Sequence, residues 1–218
     1  MNTHFQKELD KIKKMLLSLG AAVEQRVQMA GKAITDIDAI LAEDIIDRDH
    51  EIDTMEMEVE DECLKALALY QPVAVDLRFL IAVIKINNDL ERIGDQAVNI
   101  AQRVQILAKH DRHIMQFDYT SMAEKAQDML KKSLDSLVNM DLELAHHVIF
   151  LDDEVDSIKH DAYDRIKVAM SKHPTQIGYL INLLLISRHL ERLADHATNI
   201  AEEVVYMIEG EVVRHTSL

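Results

Sequence analysis

An internal repeat constrains the architecture of this chain more than any other feature of its sequence. Residues 86–101 and 186–201 align without a gap at an offset of 100 residues, and 9 of the 16 aligned positions are identical. The repeat extends upstream, where Asp49-His50-Glu51-Ile52-Asp53 corresponds to Asp152-Asp153-Glu154-Val155-Asp156. Such a duplication predicts two copies of one structural unit.

The repeated segments are predicted to be helical. Apolar residues recur at steps of four and three, and the same steps return one repeat later. This spacing puts them on one helix face and predicts the core seam of a bundle. The seam positions are Ile86, Leu90, Ile93, Ala97, Ile100 and Val104, followed by Ile186, Leu190, Leu193, Ala197, Ile200 and Val204. Only five Gly and two Pro occur in the chain, which favours long uninterrupted helices.

Six helices are predicted, three in each half of the chain. Their expected ranges are 3–42, 44–70, 75–109, 121–139, 142–172 and 175–209. Pro72 and Pro174 mark equivalent helix ends, and a polar, histidine-rich link over 110–119 separates the halves. The predicted fold class is all-α, with two tandem antiparallel three-helix bundles at residues 1–110 and 111–218.

Charge and composition exclude several classes of protein. A formal net charge of -15 disfavours direct contact with nucleic acid or anionic lipid. The one cysteine, Cys63, suits a reducing compartment. The first 14 residues lack the apolar core of a signal peptide, and the most apolar run, 179–186, is too short to span a bilayer. We therefore expect a cytoplasmic protein without a transmembrane segment.

Carboxylates occupy matching helix faces in both halves. Residues four apart share one face of a helix, and the acidic positions of each half form two such stripes on neighbouring helices. These positions are Asp49, Asp53, Glu91 and Asp95 in the first half and Asp152, Asp156, Glu191 and Asp195 in the second. Asn99 and Asn199 continue the stripes with neutral oxygens, and His160 lies four residues after Asp156.

Clustered carboxylates repel one another, and each like-charged pair costs a helix roughly 0.2–0.5 kcal/mol. Hard cations with oxygen ligands, such as magnesium, calcium, manganese or iron, would offset that repulsion. A second interpretation stays open, because Arg92 and Arg192 directly follow the glutamates. The stripes would then be solvated faces or salt-bridge partners.

Enzymatic activity is not expected. The sequence has no glycine-rich phosphate loop and no Ser or Cys nucleophile motif. A ferritin-like di-iron oxidoreductase is an alternative, but it needs two Glu-x-x-His motifs, and only Glu143 to His146 provides one. A purely structural helical scaffold is the remaining alternative.

The motifs Leu90-Glu91-Arg92-Ile93-Gly94-Asp95 and Leu190-Glu191-Arg192-Leu193-Ala194-Asp195 resemble the paired signatures of the PhoU family. The break at Gln71-Pro72, the following Asp76-Leu77-Arg78 and the ending 210–215 extend the resemblance over nearly the whole chain.

This resemblance implies two three-helix bundles and a non-enzymatic negative regulator of phosphate uptake and the phosphate regulon. It implies links to the ATPase subunit of a phosphate ABC transporter and to a membrane sensor histidine kinase, together with a homodimer. Some family members bind metal through acidic motifs that match the eight carboxylates named above. The metal is then expected to be iron, or another divalent cation such as zinc, manganese or magnesium.

Overall fold

The computed structural model describes residues 3–110, 117–211 and residue 213, and within these ranges all regular structure is helical. The all-α class predicted from the repeat is confirmed. The elements are α1 (Thr3–Asp36), α2 (Ala39–Asp47), α3 (Asp49–Tyr70), α4 (Ala74–Leu107), α5 (Thr120–Asn139), α6 (Leu142–Lys172), a 3-10 turn (Pro174–Gln176) and α7 (Ile177–Glu209). No helix in the described ranges is both long and apolar enough to cross a membrane.

The boundary between the first two helices lies earlier than predicted. The prediction that the first helix continues to residue 42 is wrong, because Ile37 takes a left-handed conformation with φ 49° and ends α1 at Asp36. The Asp38 side chain then accepts the backbone N–H groups of Ile40 and Leu41 and caps α2. Arg48 alone separates α2 from α3, so these two segments form one kinked helix.

The second half repeats this turn. Met140 takes φ 51° after α5, and Asp141 caps α6 through the N–H of Leu144. Helix α6 spans the predicted range, whereas α7 begins at Ile177 after the 3-10 turn, two residues later than predicted. With α2 and α3 counted as one kinked helix, each half has the three helices that the repeat predicts.

Helices α4 and α7 form the centre of the molecule. All twelve seam residues predicted from the repeat are buried, and they belong to one continuous core. Helix α4 packs against α1, α2 and α3, and α7 packs against α5 and α6. The two central helices also pack extensively against each other. The proposed division between residues 110 and 111 stays a prediction, because residues 111–116 of the link lie outside the described ranges. Residue 212 and residues 214–218, which include part of the ending 210–215, also lie outside them.

A close approach of α3 to α4 explains the glycine of the first motif. A Cβ added to Gly94 would lie 3.0 Å from Cδ1 of Ile52. In the second half the equivalent residues are Ala194 and Val155, both buried. Relative to the first half, the second half therefore has one methyl group more on its central helix, at Ala194, and one fewer on the neighbouring helix, at Val155. The combined size of the pair stays nearly constant.

Candidate functional site

The N-terminal face consists of the acidic side chains of Asp49 and Asp53 on α3 and of Glu91 and Asp95 on α4. Burial raises the pKa of Asp49, and the carboxylates of Asp53 and Asp95 raise it further. Burial likewise raises the pKa of Glu91, with further contributions from Asp95 and Asp53. Mutual repulsion across the two helices shows that the structure brings the four carboxylates into one cluster.

Glu91 is incompletely satisfied within this cluster. Its Oε2 atom is buried and accepts no hydrogen bond. The nearest cation is Arg92, whose Nε lies 3.4 Å from that oxygen and whose Nη1 lies 3.4 Å from Oδ2 of Asp95. A buried carboxylate oxygen without a hydrogen-bond donor favours the approach of a cation.

The N-terminal face contains a fifth carboxylate that the sequence stripes did not include. Glu56 lies three residues after Asp53, and burial raises its pKa, with Glu60 and Asp53 adding to the effect. The buried Asn87 donates from Nδ2 to Oε1 of Glu56 at 3.1 Å and to the Glu56 backbone oxygen at 2.9 Å.

The C-terminal face consists of Asp152 and Asp156 on α6 and of Glu191 and Asp195 on α7, and it has a lysine among these carboxylates. Lys159 Nζ on α6 donates to Oε1 of Glu191 on α7 at 2.7 Å. The same ammonium group lies 3.7 Å from Oδ1 of Asp156. Lys159 therefore bridges carboxylates from the two acidic stripes of this half.

The other two carboxylates of the C-terminal face have raised pKa values. Burial and Asp156 raise the pKa of Asp152, although Thr198 partly opposes this by donating its hydroxyl to Oδ1 at 3.3 Å. Burial, Glu191 and Asp152 raise the pKa of Asp195 to about 6. The four predicted carboxylates of this half therefore also form one cluster.

The two asparagines and His160 are placed differently from the carboxylates. Asn199 donates from Nδ2 to Oδ1 of Asp89 on α4 at 3.1 Å, so its amide is directed to the other half of the molecule. Asn99 is partly buried on α4. His160 Nδ1 donates to the backbone oxygen of Asp156 at 2.7 Å and leaves only Nε2 for another partner.

No group of three or more His, Cys, Asp or Glu side chains within residues 3–110, 117–211 and 213 has the arrangement of a metal site. The eight predicted ligands thus lie in two carboxylate clusters, and their metal binding stays a prediction. The Glu-x-x-His alternative has Glu143 and His146 in the first turns of α6, before the cluster residues of that helix. Cys63 is fully buried, and burial raises the pKa of its thiol to about 12, which suits a core residue.

Reciprocal side-chain pairs connect the two halves. His196 on α7 donates from Nδ1 to Oδ1 of Asp89 on α4 at 2.8 Å. His189 on α7 donates from Nδ1 to Oε1 of Gln96 on α4 at 2.9 Å. Positions 89 and 189 are repeat equivalents, as are 96 and 196, so α4 and α7 cross antiparallel about a local pseudo-twofold axis.

Sequence reasoning missed the residues that distinguish the two faces. Glu56, Lys159 and Thr198 lie next to predicted ligands but outside the four-residue stripes. The signal was available at i+3, because Glu56 follows Asp53 and Lys159 follows Asp156 by three residues and both positions share the helix face.

Comparison with protein families matches the PhoU domain twice along this chain, over residues 16–104 and 119–204. The chain belongs to the PhoU family. The PhoU homolog of Pseudomonas aeruginosa, named a phosphate-specific transport system accessory protein, is 35% identical over 100% of this chain and 90% of its own length. That of Aquifex aeolicus, with the same name, is 36% identical over 96% of this chain and 95% of its own length.

Two solved PhoU structures have the same fold. The crystal structure of PhoU from Pseudomonas aeruginosa has a TM-score of 0.90 and 35% identity, and covers 95% of this chain and 100% of that one. The PhoU of Streptococcus pneumoniae, described as a phosphate transport system regulatory protein, has a TM-score of 0.88 and 30% identity, and covers 98% and 100% of the two chains.

Proposed function

We propose that this chain is an accessory regulator of phosphate transport that represses phosphate uptake and the phosphate regulon when phosphate is plentiful. The observation that carries the proposal is the similarity along nearly its full length to solved PhoU structures, one of which is described as a regulatory protein. The proposed partners are the ATPase subunit of a phosphate ABC transporter and a membrane sensor histidine kinase. The proposed location is the cytoplasm, and the proposed assembly is a homodimer.

The physical basis of the proposal is a rigid scaffold with two acidic faces. The continuous core that includes α4 and α7 holds the carboxylates of α3 and α6 in place. With a net charge of -15, the chain is suited to bind a basic protein surface. Complementary charge speeds and orients such docking. Binding and positioning, rather than catalysis, would then produce the regulatory effect.

We further propose that the N-terminal face binds a divalent metal ion, although its carboxylates do not have the arrangement of a preformed metal site. Asp49, Asp53, Glu91 and Asp95 would hold it, with Asn99 as a further candidate ligand. Oε2 of Glu91 supports this assignment, because it is buried without a hydrogen bond and has only the ion pair with Arg92 at 3.4 Å. A divalent ion such as iron, zinc, manganese or magnesium would offset the burial and the carboxylate repulsion that raise the pKa of Asp49 and Glu91. Metal would in this way change the charge that the face presents to a partner.

Deletion and complementation of the gene test the regulatory role. Loss of the gene should raise phosphate uptake and the output of a phosphate-regulon reporter in phosphate-rich medium, and the wild-type gene should restore repression. Glu91→Lys should restore less repression than Glu124→Lys, which reverses an exposed charge on α5. Unchanged uptake and reporter output in the deletion strain would refute the proposed regulation.

A further inference from the structure

One pair of equivalent positions in the two acidic faces carries opposite charges. Asp49 and Asp53 correspond to Asp152 and Asp156 at an offset of 103 residues, and the same offset relates Glu56 to Lys159. The N-terminal face therefore has a carboxylate where the C-terminal face has an ammonium group.

The ammonium group of Lys159 lies where it neutralises the second cluster. Its Nζ contacts Glu191 at 2.7 Å and approaches Asp156 at 3.7 Å, which joins carboxylates from α6 and α7. The Lys159 side chain is 32% exposed and that of Glu191 is 17% exposed, so water screens their attraction only in part. A divalent ion at this place would be repelled by the ammonium group of Lys159 and would have to displace it.

Hydrogen bonding to Asp152 further distinguishes the faces. The Thr198 hydroxyl donates to Asp152, whereas the equivalent residue on α4 is Val98, which has no donor. In the N-terminal cluster Oε2 of Glu91 is buried without a hydrogen bond and has only a longer ion pair, with Arg92 Nε at 3.4 Å. The residues of the C-terminal face thus fit a divalent metal poorly, although its four acidic residues match the family pattern.

We propose that Lys159 is the resident cation of the C-terminal face, and that this face takes no divalent ion. The charge of the C-terminal face is then independent of metal, so any divalent ion that the proposed function requires would lie on the N-terminal face. The part that concerns the N-terminal ion rests on the proposed function. The part that concerns Lys159 does not, because it follows from the contacts of α6 and α7.

Titration of the purified full chain with Mn²⁺ alone tests this inference, with free and bound ion separated by electron paramagnetic resonance. Glu191→Gln should leave the Mn²⁺ bound by the wild type unchanged. Lys159→Glu, which restores the residue type of the other repeat, should add at least one bound ion per chain. The double variant Lys159→Glu/Glu191→Gln should lose that additional ion.

Lys131→Glu is the matched control, because it makes the same charge change on an exposed residue of α5. Thermal melts establish that each variant is folded, and Mn²⁺ should raise the melting temperature of Lys159→Glu more than that of Lys131→Glu. The neutral Lys159→Met provides a second test if Lys159→Glu does not fold, and it should also bind more Mn²⁺ than the wild type.

Loss of wild-type Mn²⁺ in Glu191→Gln would overturn the inference, as would a folded Lys159 variant that gains no ion. A wild type without Mn²⁺, combined with a gain in Lys159→Glu, would support the role of Lys159. The same result would refute metal binding at the N-terminal face, so the two proposals can fail separately.

Discussion

Glu56 and Lys159 occupy the same position in the two repeats and carry opposite charges, one within each acidic face. Lys159 contributes to stability by neutralising Glu191 and Asp156. We expect Lys159→Met to lower the free energy of unfolding by about 1–2 kcal/mol, since it removes a charged hydrogen bond and leaves clustered carboxylates unneutralised. Urea denaturation at low and high salt measures the effect.

The loss should shrink as salt rises, because screening weakens the repulsion among the remaining carboxylates. Lys131→Met, on the exposed side of α5, should change stability by only a few tenths of a kcal/mol. Equal losses in the two variants would contradict a specific role for the Lys159 bridge.

The close contact of Gly94 with Ile52 leads to a packing prediction. Gly94→Ala should fail to give the gain of about 1 kcal/mol that this exchange brings at an open helix position, because the new Cβ would crowd Ile52 Cδ1 at 3.0 Å and Cγ2 at 3.2 Å. Ile52→Val alone should cost about 0.5–1.5 kcal/mol through lost packing. The double variant reproduces the Ala194 and Val155 pair of the other repeat and should be less destabilised than the sum. Additive effects in a double-mutant cycle would rule out this compensation.

His189 should make stability depend on pH. Burial lowers its pKa to about 4, with help from Arg103, Arg192 and Arg188. Because the unfolded histidine, with a pKa of about 6.5, binds a proton before the folded one, its contribution is complete above that pH and is lost as pH falls towards 4. We expect His189 by itself to make the free energy of unfolding about 2 kcal/mol lower at pH 4 than at pH 7.

His189→Gln removes the titrating group and should flatten this part of the stability curve. Chemical denaturation at a series of pH values measures the difference between the variant and the wild type. His173→Gln, at the exposed end of α6, is the control. Parallel curves for wild type and His189→Gln would exclude this role of His189.

The contact between Asp89 and His196 should stabilise the packing of the two halves. His196→Ala removes the donor at 2.8 Å and leaves the largely buried Asp89 with Asn199 as its remaining partner. We expect a loss of about 1–2 kcal/mol. Asp89→Asn/His196→Ala should lose less than His196→Ala alone, because no buried carboxylate is left without its donor; a larger loss would contradict the interpretation.

The repeat and its periodicity were sufficient to predict the core. The seams of α4 and α7 face inward because their apolar spacing matches the helical period, and the stripes around Asp49 and Glu91 meet because α3 and α4 are adjacent. The first turn was missed because Ile37 takes a left-handed conformation that favours glycine, so no Gly marks the helix end. The cap at Asp38 was the signal that remained.

Other features depend on how the two copies pack. The pairing of Asp89 with His196 could not be predicted from either repeat alone, since it requires α4 and α7 to cross antiparallel. The role of Lys159 could be recognised only by extending the repeat alignment three residues beyond Asp156. The metal ligands and the domain limits remain predictions.

The most direct test of the proposed scaffold is its binding to the purified transporter ATPase subunit and to the cytoplasmic part of the sensor kinase, measured by calorimetry at several salt concentrations. We expect saturable binding to at least one of them that weakens as salt rises, and a loss of at least about tenfold in affinity for Glu91→Lys but not for Glu124→Lys. No binding to either partner at low salt, or equal weakening in both variants, would contradict docking through the N-terminal face, which contains Glu91.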